Sequence, residues 1–265
     1  MQISVIIPVY NRAKLISRAI ESVLNQTCKV DEIIVIDDGS SDNTLEILKN
    51  FGYKIKVITQ KNSGVSSARN RGIIKSSFDW ITFLDSDDEW DRDKIKEQVE
   101  FHKNNPEILI SHTQELWIRN GKKINQKSHH KKFGGFCFEE NLDFCHIAPS
   151  SVMMKKDLFE KIGYFDDSLV VCEDYDLWLR VLREYPIGLI EKELVTKYAG
   201  HENQLSFSYE AMDRFRVEAL LKHDDLEIVR DEILKKCAIL INGAKKRNNI
   251  STQKQYEKIE MRYKD

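Results

Sequence analysis

The stretch WITFLDSDDEW (80–90) puts four acidic residues into the five positions that follow a run of apolar ones. Its first half predicts a buried β-strand over 80–85. Carboxylates packed this closely repel one another, so they are tolerated either where water solvates them or where a bound cation gathers them. The stretch alone is equally typical of a solvated surface turn. The remainder of the chain decides between the two interpretations.

Three earlier runs of apolar and β-branched residues are similar to this strand, and segments with helical spacing separate them. Strands that alternate with helices predict a parallel, doubly wound sheet that is covered on both faces. The predicted strands are 3–9, 32–37, 54–59 and 80–85, and the predicted helices lie within 12–26, 43–51 and 65–76.

Polar residues follow each of the four predicted strands. In sheets of this type, ligands bind at the carboxyl ends of the strands, near the point where the strand order reverses. Four separate strand ends therefore carry polar groups to one rim, which favours a functional interpretation of the acidic cluster. These groups are Tyr10 and Asn11, then residues 37–42, 62–67 and 85–88.

The composition indicates an ordinary globular protein, with one large α/β domain or two small ones in 265 residues. A net charge of -2, from 41 basic and 43 acidic residues, gives no overall field that would attract nucleic acid. The five cysteines are odd in number and contain no CxxC pair, which indicates a reducing compartment rather than a disulfide framework or a zinc site. With neither a signal peptide nor an apolar span, the predicted location is the cytoplasm.

Familiar nucleotide and calcium signatures are missing. The chain has no GxGxxG after the first strand and no GxxxxGK[ST] motif, which argues against dinucleotide and P-loop enzymes. An EF-hand that began at Asp85 would need glycine where Trp90 stands and glutamate where Lys96 stands. The pair Asp85 and Asp87 instead suits Mg²⁺ or Mn²⁺ shared with a diphosphate, and therefore a nucleotide leaving group.

Five motifs, in order, resemble those of the family 2 nucleotide-sugar glycosyltransferases: SVIIPVYNR, IIVIDDGSSDNT, NSGVSSARNRGI, ITFLDSDDEW and CEDYDLWLR. The resemblance covers roughly residues 1–205 and implies a GT-A fold with a mostly parallel, doubly wound central sheet. It implies a nucleotide-sugar-binding half over 1–104, an acceptor-binding half over 105–205 and a helical C-terminal extension over 206–265.

The resemblance also implies a role for individual residues. Tyr10 would lie against the base of the donor, Asp38 would accept a hydrogen bond from that base, and Asp85 would contact the ribose. Arg69 would help to hold the nucleotide or its diphosphate. The full implied set is Pro8, Tyr10, Asn11, Asp38, Arg69, Asp85 and Ser86 for the donor, Asp87 and His201 for Mn²⁺ or Mg²⁺, and Asp174 for the general base.

Each of these roles has a structural alternative. Tyr10 could be a core aromatic residue, and Arg69 could form a surface ion pair on its helix. Acids such as Asp174 are favoured at a helix N-terminus by the helix dipole alone, by about 0.3–1 kcal/mol. A single histidine such as His201 is more often structural than metal-binding. The basic, glycine-containing run at 128–135 is predicted to be a mobile loop.

The function implied by the resemblance is metal-dependent, inverting transfer of a sugar, with a UDP-sugar as the favoured donor, to a glycan or lipid-linked acceptor. Two other enzyme classes are alternatives. A glycoside hydrolase also uses two carboxylates but needs neither metal nor nucleotide. A nucleotidylyltransferase would share the sheet and the metal, but the chain has no glycine-rich basic loop after the first strand for a triphosphate. A third alternative is an inactive nucleotide-sugar-binding or scaffold protein. Residues 105–150 carry no signal for the acceptor, and the basic C-terminal helices could rest on an anionic membrane.

Overall fold

The computed structural model describes residues 1–124, 130–200 and 209–263, and these form a nine-stranded sheet with helices packed on it. The strands are β1 Ile3–Val9, β2 Glu32–Asp37, β3 Lys56–Thr59, β4 Trp80–Phe83, β5 Glu89–Trp90, β6 Ile110–Arg119, β7 Lys122–Ile124, β8 Met153–Lys155 and β9 Gly188–Ala199. The helices are α1 Ile16–Leu24, α2 Thr44–Lys49, α3 Gly64–Lys75, α4 Lys94–Asn104, α5 Leu158–Ile162, α6 Glu173–Leu182, α7 Asp213–Leu220, α8 Glu227–Lys246 and α9 Ile250–Met261.

The first four strands form the predicted parallel sheet, in the order β3-β2-β1-β4. The chain runs outward from β1 to β3 and then crosses back to place β4 on the other side of β1. The order therefore reverses at β1 and β4, and this is where a doubly wound sheet holds its ligand. The acidic cluster follows β4 directly, so the fold places it at this switch point.

The second half of the sheet is mixed rather than parallel. β8 runs antiparallel to both β4 and β6, whereas the long strand β9 runs parallel to β6 and antiparallel to the short strand β5. Antiparallel neighbours need no helical crossover, which fits the short strands and loops between β6 and β8. The expectation of a mostly parallel sheet therefore describes the first half of the chain.

Two apolar cores cover the two faces of the sheet, as the alternation of strands and helices predicted. On one face, α1 packs Ile16 and Ile20 against β1 and β2. On the other, α3 and α6 contribute Ile73 and Leu177 to a cluster around Phe83 of β4. The strands are buried on both sides, so their end positions are rigidly fixed.

Gly72 of α3 allows that helix to lie very close to β1. A Cβ atom at this position would lie 2.4 Å from the Cγ2 atom of Ile6, a distance that real side chains do not adopt. The absent side chain therefore sets the separation of α3 from the sheet. The same close packing determines the position of Arg69, one helical turn before Gly72, relative to the end of β4.

The C-terminal helices form a third core together with α6. Tyr175 and Leu179 of α6 pack with Phe215 of α7 and Ile233 of α8. The helix that carries the CEDYD motif therefore lies between the sheet and the C-terminal helices. The predicted boundary between residues 205 and 206 falls outside the described residues. No helix within the described ranges is long and apolar enough to cross a membrane.

Lys94, the first residue of α4, is completely buried beneath the sheet. Its Nζ donates to Thr82 Oγ1 at 2.8 Å and lies 3.7 Å from the centroid of the Trp90 ring. Burial lowers the pKa of Lys94 well below its ordinary value. The folded protein therefore disfavours the charged amine, which reduces stability at pH values below the ordinary pKa of lysine.

Lys94→Met is expected to raise the free energy of unfolding at pH 7 by about 1–3 kcal/mol, because it removes a desolvated amine. The gain should shrink as the pH rises toward about 10.5, where the unfolded chain also loses the proton. Urea unfolding at pH 7 and pH 9 measures it, with the exposed Lys96→Met on the same helix as control. Equal or lower stability of Lys94→Met at pH 7 would show that the Thr82 and Trp90 contacts outweigh the desolvation.

Candidate active site

A single arginine joins the end of β4 to the start of α6. Arg69 Nη2 donates to Asp85 Oδ1 at 2.8 Å, and Arg69 Nη1 donates to Glu173 Oε1 at 2.5 Å. The Arg69 side chain is only 4% exposed, and its guanidinium lies 5.2 Å from the centroid of the Phe165 ring. The two acids raise the pKa of Arg69 despite its burial, so it is charged at any physiological pH. The alternative of a surface ion pair does not apply, because this pair is buried.

Glu173 is a buried carboxyl group whose neighbours shift its pKa in opposite directions. Burial and the neighbouring Asp174 raise the pKa of Glu173 to about 7, and Arg69 acts against that shift. Asp174, the next residue, is half-buried, and its Oδ1 accepts from the backbone N–H of Tyr175 at 2.7 Å. The Asp174 carboxylate also lies beside the Cys145 thiol. A partly open carboxylate in a position fixed by Arg69 and α6 has the properties that a general base needs.

The acids after β4 are packed together around Ser150. The Ser150 hydroxyl accepts from the backbone N–H of Asp85 at 3.0 Å and donates to Asp88 Oδ2 at 2.6 Å. Lys197 of β9 brings its Nζ to 3.7 Å from Asp88. Burial raises the pKa of Asp88 to about 7; Lys197 opposes this, and the charges on Asp87 and Asp85 add to it. Asp88 therefore has a structural role in the loop, where Ser150 and Lys197 hold it in place.

Asp87 is the acid of this loop whose carboxylate is the candidate ligand for a metal ion. It is half-buried, and its backbone carbonyl accepts from Arg18 Nη2 at 2.6 Å, which fixes the turn. Among the described residues, no group of three or more acidic, histidine or cysteine side chains is arranged to hold a metal ion. Mg²⁺ and Mn²⁺ bound beside a nucleotide need only one or two carboxylates, because phosphate oxygens and water complete the shell. The residues therefore fit a cation shared with a diphosphate.

The ends of β1 and β2 form the other part of the rim. Asn11 has a positive φ of 50°, and its Oδ1 accepts from the backbone N–H of Ser41 at 2.8 Å, which ties the two strand ends together. Tyr10 is 45% exposed, so the alternative of a core aromatic residue is wrong. Pro8 is buried within β1, opposite Ile36 of β2. The exposed Tyr10 ring stands at the carboxyl end of β1, the location predicted for the donor base.

Asp38 is more deeply buried than a simple base-contacting acid requires. Its Oδ1 accepts from Gln60 Nε2 at 2.7 Å and from the Ser63 N–H at 2.9 Å, and its Oδ2 accepts from the Gly64 N–H at 2.9 Å. The carboxylate therefore holds the start of α3 in place. Its predicted hydrogen bond with the base stays a prediction.

The structure brings most of the predicted residues to one rim, and it adds some that the sequence did not reveal. Ser86 is buried between Asp85 and Asp87, and His201 lies outside the described residues. Ser150 and Lys197 were missed, since neither belongs to a recognisable motif. Lysines such as Lys197 are common on surfaces, so its residue type gave no signal.

Comparison with known proteins agrees with the geometry. Residues 4–163 match the family described as Glycosyl transferase family 2. Over 210 residues the chain is 32% identical to the Escherichia coli protein UDP-Glc:alpha-D-GlcNAc-diphosphoundecaprenol beta-1,3-glucosyltransferase WfgD, covering 77% of this chain and 79% of that one. It is also 39% identical over 195 residues to an uncharacterized glycosyltransferase of Rickettsia felis, covering 73% of this chain and 32% of the relative. The chain thus spans about a third of the length of this Rickettsia relative.

Among solved structures, the chain is similar to S. aureus TarS 1–349 in complex with UDP-GlcNAc. The TM-score is 0.69 with 21% sequence identity, and the match covers 91% of this chain and 71% of that chain. At this identity the similarity establishes a shared fold, which is the GT-A fold predicted from the five motifs.

Proposed function

Because the chain belongs to glycosyl transferase family 2, we propose that it transfers a sugar from a nucleoside-diphosphate donor, with UDP favoured, to a hydroxyl group of a saccharide acceptor. The name of the E. coli relative describes a lipid-linked diphosphate acceptor and a β-linked product. We propose the same class of acceptor here, which would place the working protein at the cytoplasmic face of a membrane, in the synthesis of a cell-surface polysaccharide.

The observation that carries this proposal is the bridge made by Arg69. One guanidinium binds both Asp85, from the acidic loop, and Glu173, the residue before the candidate base. A donor diphosphate at the acidic loop and an acceptor hydroxyl at Asp174 would therefore meet at a fixed separation. Holding two reactants in such an arrangement lowers the entropic cost of the reaction.

On the donor side, Tyr10 would pack against the base, and Asp85 would accept a hydrogen bond from the ribose. Asp87 would hold the cation, with His201 as a second predicted ligand. A bound Mn²⁺ or Mg²⁺ would neutralise the diphosphate and make it a better leaving group. The buried Arg69 has both terminal nitrogens on carboxylates, so its main action is to position Asp85 and Glu173.

On the acceptor side, Asp174 would take the proton from the attacking hydroxyl group as the new bond forms. A sugar hydroxyl is a weak nucleophile until that proton is removed. With this base opposite the leaving group, attack would invert the anomeric carbon, and an α-linked donor would give a β-linked product. This use of a base distinguishes the inverting reaction from a retaining one.

Binding of the donor can be tested without knowing the sugar. In calorimetric titrations of UDP, GDP, dTDP and CDP, we expect one nucleotide, with UDP favoured, to bind in the presence of Mn²⁺ and to lose at least tenfold in affinity when the metal is removed. Asp87→Ala should show the metal-free affinity with or without Mn²⁺. The exposed Asp231→Ala on α8 is the matched control and should behave as the wild type. If well-folded protein binds none of the four nucleotides, the transferase proposal is wrong.

A further inference from the structure

Three aromatic side chains from separate parts of the acceptor half lie in a row. The Trp117 and His130 rings stack with centroids 4.9 Å apart and planes 28° apart, and the Phe144 ring follows with its centroid 5.6 Å from that of His130. All three residues are half-buried. We call Trp117, His130 and Phe144 the aromatic row. None of the three belongs to the buried apolar clusters that form the cores of the described residues.

One end of the aromatic row lies beside the acids of the donor site. Trp117 stands opposite Lys197 in the register of β6 and β9, so their side chains lie on the same face of the sheet. Lys197 in turn brings its Nζ to 3.7 Å from Asp88. The indole Nε1 of Trp117 donates to Glu115 Oε2 at 3.1 Å, which fixes the orientation of the ring.

The other end of the aromatic row lies beside the candidate base. Phe144 directly precedes Cys145, whose thiol lies next to the Asp174 carboxylate. Arg216 of α7 places its guanidinium 4.9 Å from the centroid of the Phe144 ring, and its Nη1 donates to Asp213 Oδ1 at 2.8 Å. The row therefore has Lys197, beside the acids of the donor site, near one end and Cys145, beside the candidate base, near the other.

The segment that supplies His130 is held firmly, although the sequence predicted a mobile loop at 128–135. Lys132 forms a buried ion pair with Glu115, with 2.7 Å between Nζ and Oε1, and both side chains are at most 4% exposed. Further along, Gly135 exchanges two backbone hydrogen bonds with Ile187. The described part of the segment, from His130 onward, is therefore attached to β6 and to Ile187 by these contacts.

The aromatic row and the guanidinium of Arg216 together suit a ligand that contains both a sugar ring and a phosphate. The C–H groups of a pyranose ring pack well on aromatic surfaces, and an arginine fork binds phosphate oxygens. We propose that the aromatic row is the acceptor site and that it binds a saccharide whose reducing end carries a phosphate or diphosphate. The sugar ring lies on Trp117 and Phe144, and the phosphate meets Arg216. This inference rests on the proposed function.

The test measures acceptor binding directly, with the donor site filled by UDP and Mn²⁺. The calorimetric probes are the α-1-phosphates of glucose, galactose, N-acetylglucosamine and N-acetylgalactosamine, together with the four free sugars. We expect at least one sugar phosphate to bind the wild type at least tenfold more tightly than its free sugar. N-acetylglucosamine diphosphate with a decyl chain, presented in phosphatidylcholine vesicles, distinguishes a lipid-borne acceptor from a free sugar phosphate.

Two variants separate the two halves of the proposed site. Trp117→Leu should weaken every sugar ligand by about tenfold, because the stacking surface is lost. Arg216→Gln should remove the preference for the phosphorylated sugar and leave the free sugar unchanged. The matched controls are Arg214→Gln, an exposed arginine on the same helix, and Tyr53→Leu, a fully exposed aromatic residue elsewhere; both should bind as the wild type does.

Binding of UDP separates this inference from the proposed function. If the wild type binds UDP but no sugar phosphate, or if Trp117→Leu and Arg216→Gln bind every probe as the wild type does, the aromatic row is structural and the inference is wrong. If none of UDP, GDP, dTDP and CDP binds to folded protein, the transfer reaction and the acceptor site are both rejected. Thermal unfolding of each variant shows that a loss of binding is not a loss of folding.

Discussion

Asp174→Asn is expected to slow sugar transfer by about a thousandfold while the donor nucleotide still binds with wild-type affinity. General base catalysis contributes about 10²- to 10⁴-fold, and asparagine keeps the shape of the side chain but cannot accept the proton. The substitution leaves Arg69, Asp85 and Glu173 in place, so the donor side should not change. Single-turnover transfer from a UDP-sugar measures the rate, and calorimetry with UDP measures the binding.

The alternative for Asp174 is an acid that only favours the start of its helix. Asp157→Asn is the matched control, because Asp157 is an exposed acid that directly precedes α5. If both variants retain transfer, Asp174 is a helix-terminal charge and not the base. If Asp174→Asn loses transfer but keeps UDP, the inactive scaffold is excluded. Activity without a nucleotide donor would instead support a glycoside hydrolase.

The first half of the fold could be predicted from the sequence because its core is apolar. β1, β2 and β4 are almost completely buried, so their strand pattern is strong. α4 was missed for the opposite reason. The buried face of this helix includes the polar side chains Lys94, Gln98 and His102, so no apolar periodicity marks it.

The individual site residues could be predicted, but their partners could not. Arg69 stands in a recognisable motif, yet its ion pairs join residues 16 and 104 positions away in the chain. Such pairs arise only once β4, α3 and α6 are packed together. The aromatic row shows the same limit, because Trp117, His130 and Phe144 share no motif and meet only through the folding of the acceptor half.

Arg69→Met is expected to reduce the free energy of unfolding by about 3–5 kcal/mol. Removing one partner of a buried ion pair leaves the other charge buried without compensation, and here one guanidinium serves two carboxylates. For a domain of this size the loss corresponds to a fall in Tm of roughly 10 °C. Differential scanning calorimetry measures it, and the neighbouring Arg71→Met on α3 is the control.

The same substitution should change the dependence of stability on pH. In the wild type, the pKa of Glu173 is about 7, raised from the ordinary value of 4.5, chiefly by burial and Asp174. Between these values the folded state holds a proton that the unfolded chain has released, so this group reduces stability as the pH rises. Without Arg69, which opposes the shift, the pKa should rise further, so Arg69→Met should lose more stability at pH 8 than at pH 5.

A second substitution shows whether the unpaired charge is the cause. Adding Glu173→Gln to Arg69→Met removes one of the two stranded carboxylates, so the double variant should be more stable than Arg69→Met at pH 8. The two proteins should have similar stability at pH 5, where Glu173 is already protonated. If the double variant is no more stable at either pH, the unpaired charge of Glu173 is not the cause, and the damage comes from the stranded Asp85 or from lost packing against Phe165.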